Sequence, residues 1–162
     1  MKKEKALLAA GCFWGVEELL REYPGVLETE VGYCGGKAEE ALYTKVTTGK
    51  TNHAESVQIT FDSEKLSYEN LIQAFFKLHD PTTLNQQHND KGTQYRSAIF
   101  YFDESQKQIA EKVKAELQLN GIFKRPIVTE ITPAPPFFSA EDYHQDYLRK
   151  NPGGYMCHVW RD

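Results

Sequence analysis

The sequence predicts an α+β plait, and three observations carry that prediction. Segments with strand and helix periodicity alternate along the chain. Two of the strand segments alternate apolar and polar residues, as strands with one solvated face do, so the sheet is expected to be mixed rather than wholly buried. The length, 162 residues with 40% hydrophobic and 26% charged side chains, suits one domain with its own core.

Residues 4–10 read as a short buried strand ended by Gly11. From Cys12 to Tyr23, Val16, Leu19, Leu20 and Tyr23 form a helical stripe that Pro24-Gly25 stops. Residues 26–33 alternate as a second strand, broken at Gly35-Gly36, and residues 38–48 suggest a short helix stopped by Gly49. Val57, Ile59 and Phe61 alternate with Ser56, Gln58 and Thr60 in a half-buried strand. Ser67 caps a helix carrying Leu71, Ile72, Phe75, Phe76 and His79, closed by Pro81. Residues 82–95 are polar without a period and read as a long loop, a feature that is often functional in compact domains. A strand follows over Ser97–Phe102, and Asp103 with Gln106 resembles a capping box for a helix carrying Ile109, Val113 and Leu117. Ile127–Ile131 reads as a further strand, and Pro133, Pro135 and Pro136 force an extended segment. Ser139 with Asp142 fits a second capping box before a helix to about Lys150. From Asn151 a flexible tail carries Cys157. A thioredoxin-like sheet is the alternative to the plait.

Composition excludes several function classes. A net charge of −4 and a pI near 5.8, with no basic stretch longer than two residues (as at Lys2-Lys3 and Lys124-Arg125), leave no footprint for nucleic acid. No apolar run approaches the ~18 residues of a membrane span. Lys2-Lys3 followed by Ala6–Cys12 imitates a lipoprotein signal, but five apolar residues before Gly11 fall short of the roughly 7–15 of such a segment. Three sparse cysteines, Cys12, Cys34 and Cys157, argue against a disulfide framework and for a reducing compartment, here the cytoplasm. No heptad pattern points to obligate assembly, so a monomer is expected. The five histidines fit no zinc spacing, and no metal is expected.

The richest local signal is Gly11-Cys12-Phe13-Trp14-Gly15, at the junction of a buried strand and a helix. That junction aims free backbone N–H groups and the positive end of a helix dipole at the cysteine, favouring thiolate. The two glycines permit close approach of a ligand to the backbone. Phe13 and Trp14 at the first turn are suited to hold a small apolar group; the bland alternative is a buried cysteine among core aromatics.

With GCFWG at 11–15, four further blocks stand in order: GYCGG at 32–36, GKTNHAESVQITFD at 49–62, HDPTTLNQQHNDKGTQYRSAIF at 79–100 and PFFSAEDYHQDYLRKNPGGY at 136–155. Together they resemble the S-epimer class of peptide methionine sulfoxide reductases over nearly the whole chain. The resemblance implies a two-layer α+β fold like a ferredoxin-like plait, with a mixed sheet and a long C-terminal coil. It implies one catalytic domain over 1–162 that reduces methionine-S-sulfoxide, free or within oxidised proteins, without a bound cofactor. It carries the nucleophile to Cys12, the methyl-holding wall to Phe13 and Trp14, and the acid to Glu55. The oxygen-binding hydroxyls fall on Tyr43 and Tyr95, and Asp90 supports the same pocket.

The chemistry wants this set. Sulfoxide sulfur is a weak electrophile, so thiolate attack needs a proton or strong hydrogen bonds on the oxygen. A carboxyl buried beside aromatic rings stays protonated and can donate. Oxygen transfer leaves Cys12 as a sulfenic acid, which a second thiol condenses to a disulfide that thioredoxin or a similar dithiol reopens. Relatives often carry two recycling cysteines near the C-terminus; this chain has Cys157 alone, and Cys34 sits where the block usually has another residue. A thiol peroxidase and a non-enzymatic binding module for methionine-containing peptides are the rival readings.

Overall fold

The computed structural model describes residues 1–156 and 158–161. Its strands are β1 (Lys3–Ala10), β2 (Val26–Cys34), β3 (Ala54–Asp62), β4 (Gln86–Gln87), β5 (Asp90–Lys91), β6 (Ser97–Tyr101), β7 (Glu130–Pro133) and β8 (Phe137–Ser139). The α-helices are α1 (Phe13–Arg21), α2 (Tyr43–Val46), α3 (Tyr68–Lys77), α4 (Glu104–Leu119) and α5 (Tyr147–Lys150). Six strands form one sheet in the order β7-β6-β1-β3-β2-β8, while β4 and β5 pair apart from it. All pairs in the large sheet are antiparallel except β6–β7, so the sheet is mixed, as expected.

Strand periodicity divides the core in two. Ala6, Leu8 and Ala10 of β1, Val31 and Tyr33 of β2 and Val57, Ile59 and Phe61 of β3 face α1, α3 and α4 in the main cluster. Leu7, Ala9, Cys34, Ala54, Ala98 and Phe100 point to the opposite face, where Ala134 and Phe137 of the extended C-terminal segment cover them. The helices thus form one layer on a sheet whose other face is closed by coil.

Local signals explain most boundaries. Ser67 Oγ accepts the N–H of Asn70 and Asp103 Oδ1 accepts that of Gln106, caps that are each worth about 1 kcal/mol. The second half of the capping box at α4 is displaced by one residue, because Gln106 Oε1 accepts from Phe102 N–H. A register shift between Val26 and Glu28 leaves Leu27 exposed, so β2 does not alternate evenly as its sequence suggests.

Other expectations need correction. Residues 38–48 split into a 3-10 turn (Ala38–Glu40) and α2. The loop at 82–95 contains the β4–β5 hairpin, with Asn85 and His88 in left-handed conformation, and a 3-10 turn at Thr93–Tyr95. The strand expected at 127–131 is shifted onto Glu130–Pro133: the Ile127 and Val128 N–H groups are taken by Gln118 Oε1 and Pro81 O, outside any ladder. Ser139 caps no helix. It ends β8, and Glu141 precedes a 3-10 turn (Asp142–His144) that a left-handed Asp146 separates from α5. Gln145 instead pairs with Val31, its Oε1 accepting the Val31 N–H and its Nε2 donating to the Val31 carbonyl, each at 2.9 Å.

Candidate active site

Cys12 stands at the turn between β1 and α1, in the N-cap position and 7% exposed. The Phe13 N–H, one of the amides a helix start leaves unpaired, donates to Glu55 Oε1 at 3.1 Å. Glu55 reaches it from β3, where it sits opposite Tyr33 of β2 on the helix-facing side of the sheet. It is 2% exposed. Burial pushes its carboxyl up to about 8, the Phe13 bond pulls against that shift, and the charge of Asp90 adds to it. The carboxyl is therefore largely protonated at neutral pH. One oxygen is fixed by backbone, and the other makes no hydrogen bond among the described residues.

Tyr43 opens α2 and Tyr95 ends the 3-10 turn before β6. Burial, then the charges of Glu55 and Cys12, push Tyr43 up to about 12. Tyr95 is raised by burial first and then by Glu55, Asp90, Tyr43 and Cys12. Both phenols stay neutral O–H donors, and each senses the thiol and the carboxyl together. Four sequence-expected groups thus converge from α1, β3, α2 and the segment before β6. Asp90, half-buried in β5, shares their field and accepts the Tyr155 hydroxyl at 3.2 Å.

Phe13 and Trp14 part company. Phe13 is 1% exposed, packed against Tyr33 and His144 at centroid distances of 5.7 and 5.2 Å. Trp14 is half-buried, stacks on Tyr147 at 3.9 Å and 11°, and stacks more loosely on Tyr43 at 6.4 Å. Its Nε1–H donates to His144 Nδ1 at 2.9 Å. His144 is fully buried and burial lowers its pKa, so the ring is neutral with its proton on Nε2.

Sequence reasoning missed what holds this wall. Glu141 Oε1 accepts the Tyr33 hydroxyl and Oε2 the Tyr43 N–H, fixing the phenol-bearing turn to β2. Burial works to raise that carboxyl, but these bonds outweigh it and hold the pKa below the ordinary carboxylate value. Glu17 of α1 is buried, accepts the Thr29 hydroxyl and Asp146 N–H, and so ties α1 to the same segment. The density of polar and aromatic residues in SAEDYHQDY is the available signal, although Ser139 with Asp142 suggests a helix start there.

The glycines flanking Cys12 admit the protein's own side chains. A Cβ on Gly11 would lie 2.8 Å from Gln87 Cβ, and one on Gly15 would lie 2.3 Å from His158 Nδ1. Close approach is needed there, as expected, but what approaches in this structure is Gln87 and His158. His53 is likewise structural: its Nδ1 accepts the Gly36 N–H and its Nε2 donates to Lys37 O, holding the turn after β2.

Cys34 lies on the face of the sheet opposite to Glu55, fully buried, with Sγ 3.2 Å from Ser56 Oγ. Burial pushes its thiol up to about 11. The expectation for Cys157 falls outside the described residues. Among those described, no three His, Cys, Asp or Glu side chains group as a metal site, and no helix is long and apolar enough to cross a membrane.

Comparison with known proteins gives this geometry a family. The family model described as peptide methionine sulfoxide reductase matches residues 4–162. The peptide methionine sulfoxide reductase MsrA of Methanosarcina acetivorans is 52% identical, aligned over 98% of this chain and 83% of its own length. MsrA 2 of Rhodopirellula baltica is 50% identical over 98% of this chain and 92% of its own. The crystal structure of reduced Mxr1 from Saccharomyces cerevisiae superposes with a TM-score of 0.94 at 38% identity, covering 99% of this chain and 93% of that one. A structure of Mxr1 in complex with Trx2 also matches, at 25% identity and a TM-score of 0.68, over 99% of this chain and 91% of that one. The blocks around Cys12, Glu55 and Tyr95, the fold that gathers them and these matches along nearly the whole chain agree: the protein belongs to the peptide methionine sulfoxide reductase family.

Proposed function

We propose that this enzyme reduces methionine-S-sulfoxide, free or in oxidised proteins, with Cys12 as nucleophile and Glu55 as proton donor. The observation that carries the assignment is the buried, neutral carboxyl of Glu55, hydrogen-bonded to the amide that follows Cys12. Trp14, with Phe13 behind it, encloses the methyl group on sulfur, while Tyr43 and Tyr95 donate to the sulfoxide oxygen and Asp90 supports the pocket. Cys12 thiolate attacks sulfur, and the Glu55 proton goes to the oxygen as negative charge develops there. The S–O bond of the substrate breaks and oxygen passes to Cys12. Methionine leaves reduced by two electrons, and Cys12 is left as a sulfenic acid.

Cys157 then condenses with the sulfenic acid. An S–S bond forms, the sulfur–oxygen bond breaks, and oxygen leaves with the thiol proton as water. A dithiol protein such as thioredoxin reopens the disulfide; the structure of Mxr1 with Trx2 supports a protein reductant. The central order β6-β1-β3-β2 with helices on one face supports reading the fold as a ferredoxin-like plait. A cytoplasmic monomer fits three sparse cysteines and the absence of a heptad pattern.

The test is intact mass and turnover. One equivalent of methionine-S-sulfoxide added to reduced enzyme should yield methionine and a mass loss of about two daltons, the signature of one new disulfide. Cys12→Ser should do neither and should be inactive with dithiothreitol. Substantial residual turnover of that variant, or faster turnover on hydrogen peroxide than on methionine sulfoxide, rejects the assignment.

A further inference from the structure

We propose that His158 is a latch: its ring, seated between Gly11 and Gly15 on the Ala10 carbonyl, holds the end of the chain so that Cys157 is presented to Cys12 when the sulfenic acid is resolved. The inference rests on the reading of Cys157 as the resolving thiol.

His158 is 1% exposed although it lies in a segment without regular structure. Its Nε2–H donates to Ala10 O at 2.7 Å, across 148 residues of sequence. Ala10 is two residues before Cys12, so the anchor lies on the nucleophile's own turn. The seat exists because Gly11 and Gly15 lack side chains: a Cβ would lie 3.3 Å from Nε2 at Gly11 and 2.3 Å from Nδ1 at Gly15. Burial holds the ring neutral, with its pKa down at about 4; the Ala10 bond and Asp90 oppose that shift, while His88 and Arg161 favour it. The seat therefore takes a neutral ring as donor rather than an ion.

The chain is also tied on both sides of this seat. The Tyr155 hydroxyl donates to Asp90, and Arg161 donates its backbone N–H to Lys77 O at 2.7 Å. Arg161 Nη2 donates to His88 Nε2 at 3.2 Å, and Trp160 packs on Tyr23. His158 is the sequence neighbour of Cys157, so the seat ties the chain beside the resolving thiol to the nucleophile's own turn. A disulfide needs Cα atoms ~4.4–6.8 Å apart, a narrow target for a loose tail. Holding the partner close converts that search into a near-attack arrangement, and misplacement by about 1 Å can cost ~10²-fold. On this reading His158 is a positioning residue for the second half-reaction.

The experiment separates the two chemical steps in single turnover with methionine-S-sulfoxide. Methionine release reports the first step. Disulfide formation, and sulfenic acid trapped by dimedone, report the second. His158→Ala should release methionine within about twofold of the wild-type rate and form the disulfide at least tenfold more slowly, with sulfenic acid accumulating. His158→Gln, whose amide can donate to Ala10 O, should recover part of that loss. Gly15→Ala should slow disulfide formation by evicting the ring, and the double variant Gly15→Ala/His158→Ala should be no slower than either alone. A His158→Ala enzyme that slows both steps equally, or neither, overturns the latch, as does additivity in the double variant. A Cys157→Ser enzyme that forms an internal disulfide at the wild-type rate overturns the reading beneath the latch, and the latch with it.

Discussion

The carboxyl of Glu55 and the backbone N–H of Phe13 are joined at 3.1 Å, which couples a buried acid in β3 to the first residue of α1. An acid positioned by a side-chain partner moves with that partner's rotamer; this one is positioned by a peptide plane next to Cys12. The bond occupies Oε1 and leaves the second oxygen to carry the proton.

Glu55→Gln should therefore fold, because the amide oxygen can still accept from Phe13, yet lack a transferable proton. The single-turnover rate of sulfoxide reduction should drop about 10²–10⁴-fold, with a much smaller change in substrate affinity. A rate within a few-fold of wild type would reject Glu55 as the donor.

The same residue fixes the alkaline behaviour. Its folded pKa of about 8 is raised above the ordinary value of 4.5, so the folded protein holds a proton that the unfolded chain releases between those values. The stability linked to this group is complete below 4.5 and is lost as pH rises through about 8. The rate should lose roughly tenfold per pH unit above that point. Melting temperature should fall across the window more steeply in wild type than in Glu55→Gln; parallel curves would show that Glu55 is not held neutral.

Trp14 has two roles that substitutions can separate. Trp14→Phe keeps a ring to stack on Tyr147 but leaves His144 Nδ1 without its donor, beside an Nε2 that already has no partner. Its cost should appear mainly in stability, about 1–3 kcal/mol in chemical denaturation. Trp14→Ala removes the wall, and KM should rise by about tenfold or more with weaker epimer discrimination. Unchanged KM and epimer preference in Trp14→Ala would place the methyl site elsewhere.

Cys34 and Cys157 should behave oppositely. Cys34 is on the far side of the sheet from the main core, fully buried, with its thiol pushed up to about 11, which disfavours the thiolate that resolution needs. Cys34→Ser should cycle normally with thioredoxin. Cys157→Ser should reduce one equivalent of sulfoxide and then stall. Steady-state turnover with thioredoxin checks both, and a stalled Cys34→Ser would assign resolution to Cys34.

The parts of this molecule legible in the sequence are those set by neighbours in the chain. The strand before Gly11, the caps at Ser67 and Asp103 and the existence of β3 follow from period and capping chemistry, although β3 is largely buried on both faces and not half-buried, because β1 and β2 flank it and coil covers its second face. The site groups Cys12, Glu55, Tyr43 and Tyr95 come from four elements, and family resemblance was needed to join them. Nothing local marks the roles of Glu141, His144 and His158, because each acts across about 100 residues or more, on Tyr33 and Tyr43, on Trp14 and on Ala10. Ser139-x-x-Asp142 failed as a helix start for a related reason. Pairing of β8 with β2 offered that stretch ladder bonds that a local capping motif could not match.

The pairing of Gln145 with Val31 bears on how the protein meets its clients. Oxidised, partly unfolded chains seek open sheet edges, where a strand can add itself through backbone bonds. On one side the edge strand β8 is three residues long, and past its end the Gln145 amide occupies both backbone groups of Val31 as a peptide would. On the other side, β7 is four residues long and ends in Pro133, which has no N–H to offer. The edge strands β7 and β8 are thus short, and each is blunted against templated aggregation.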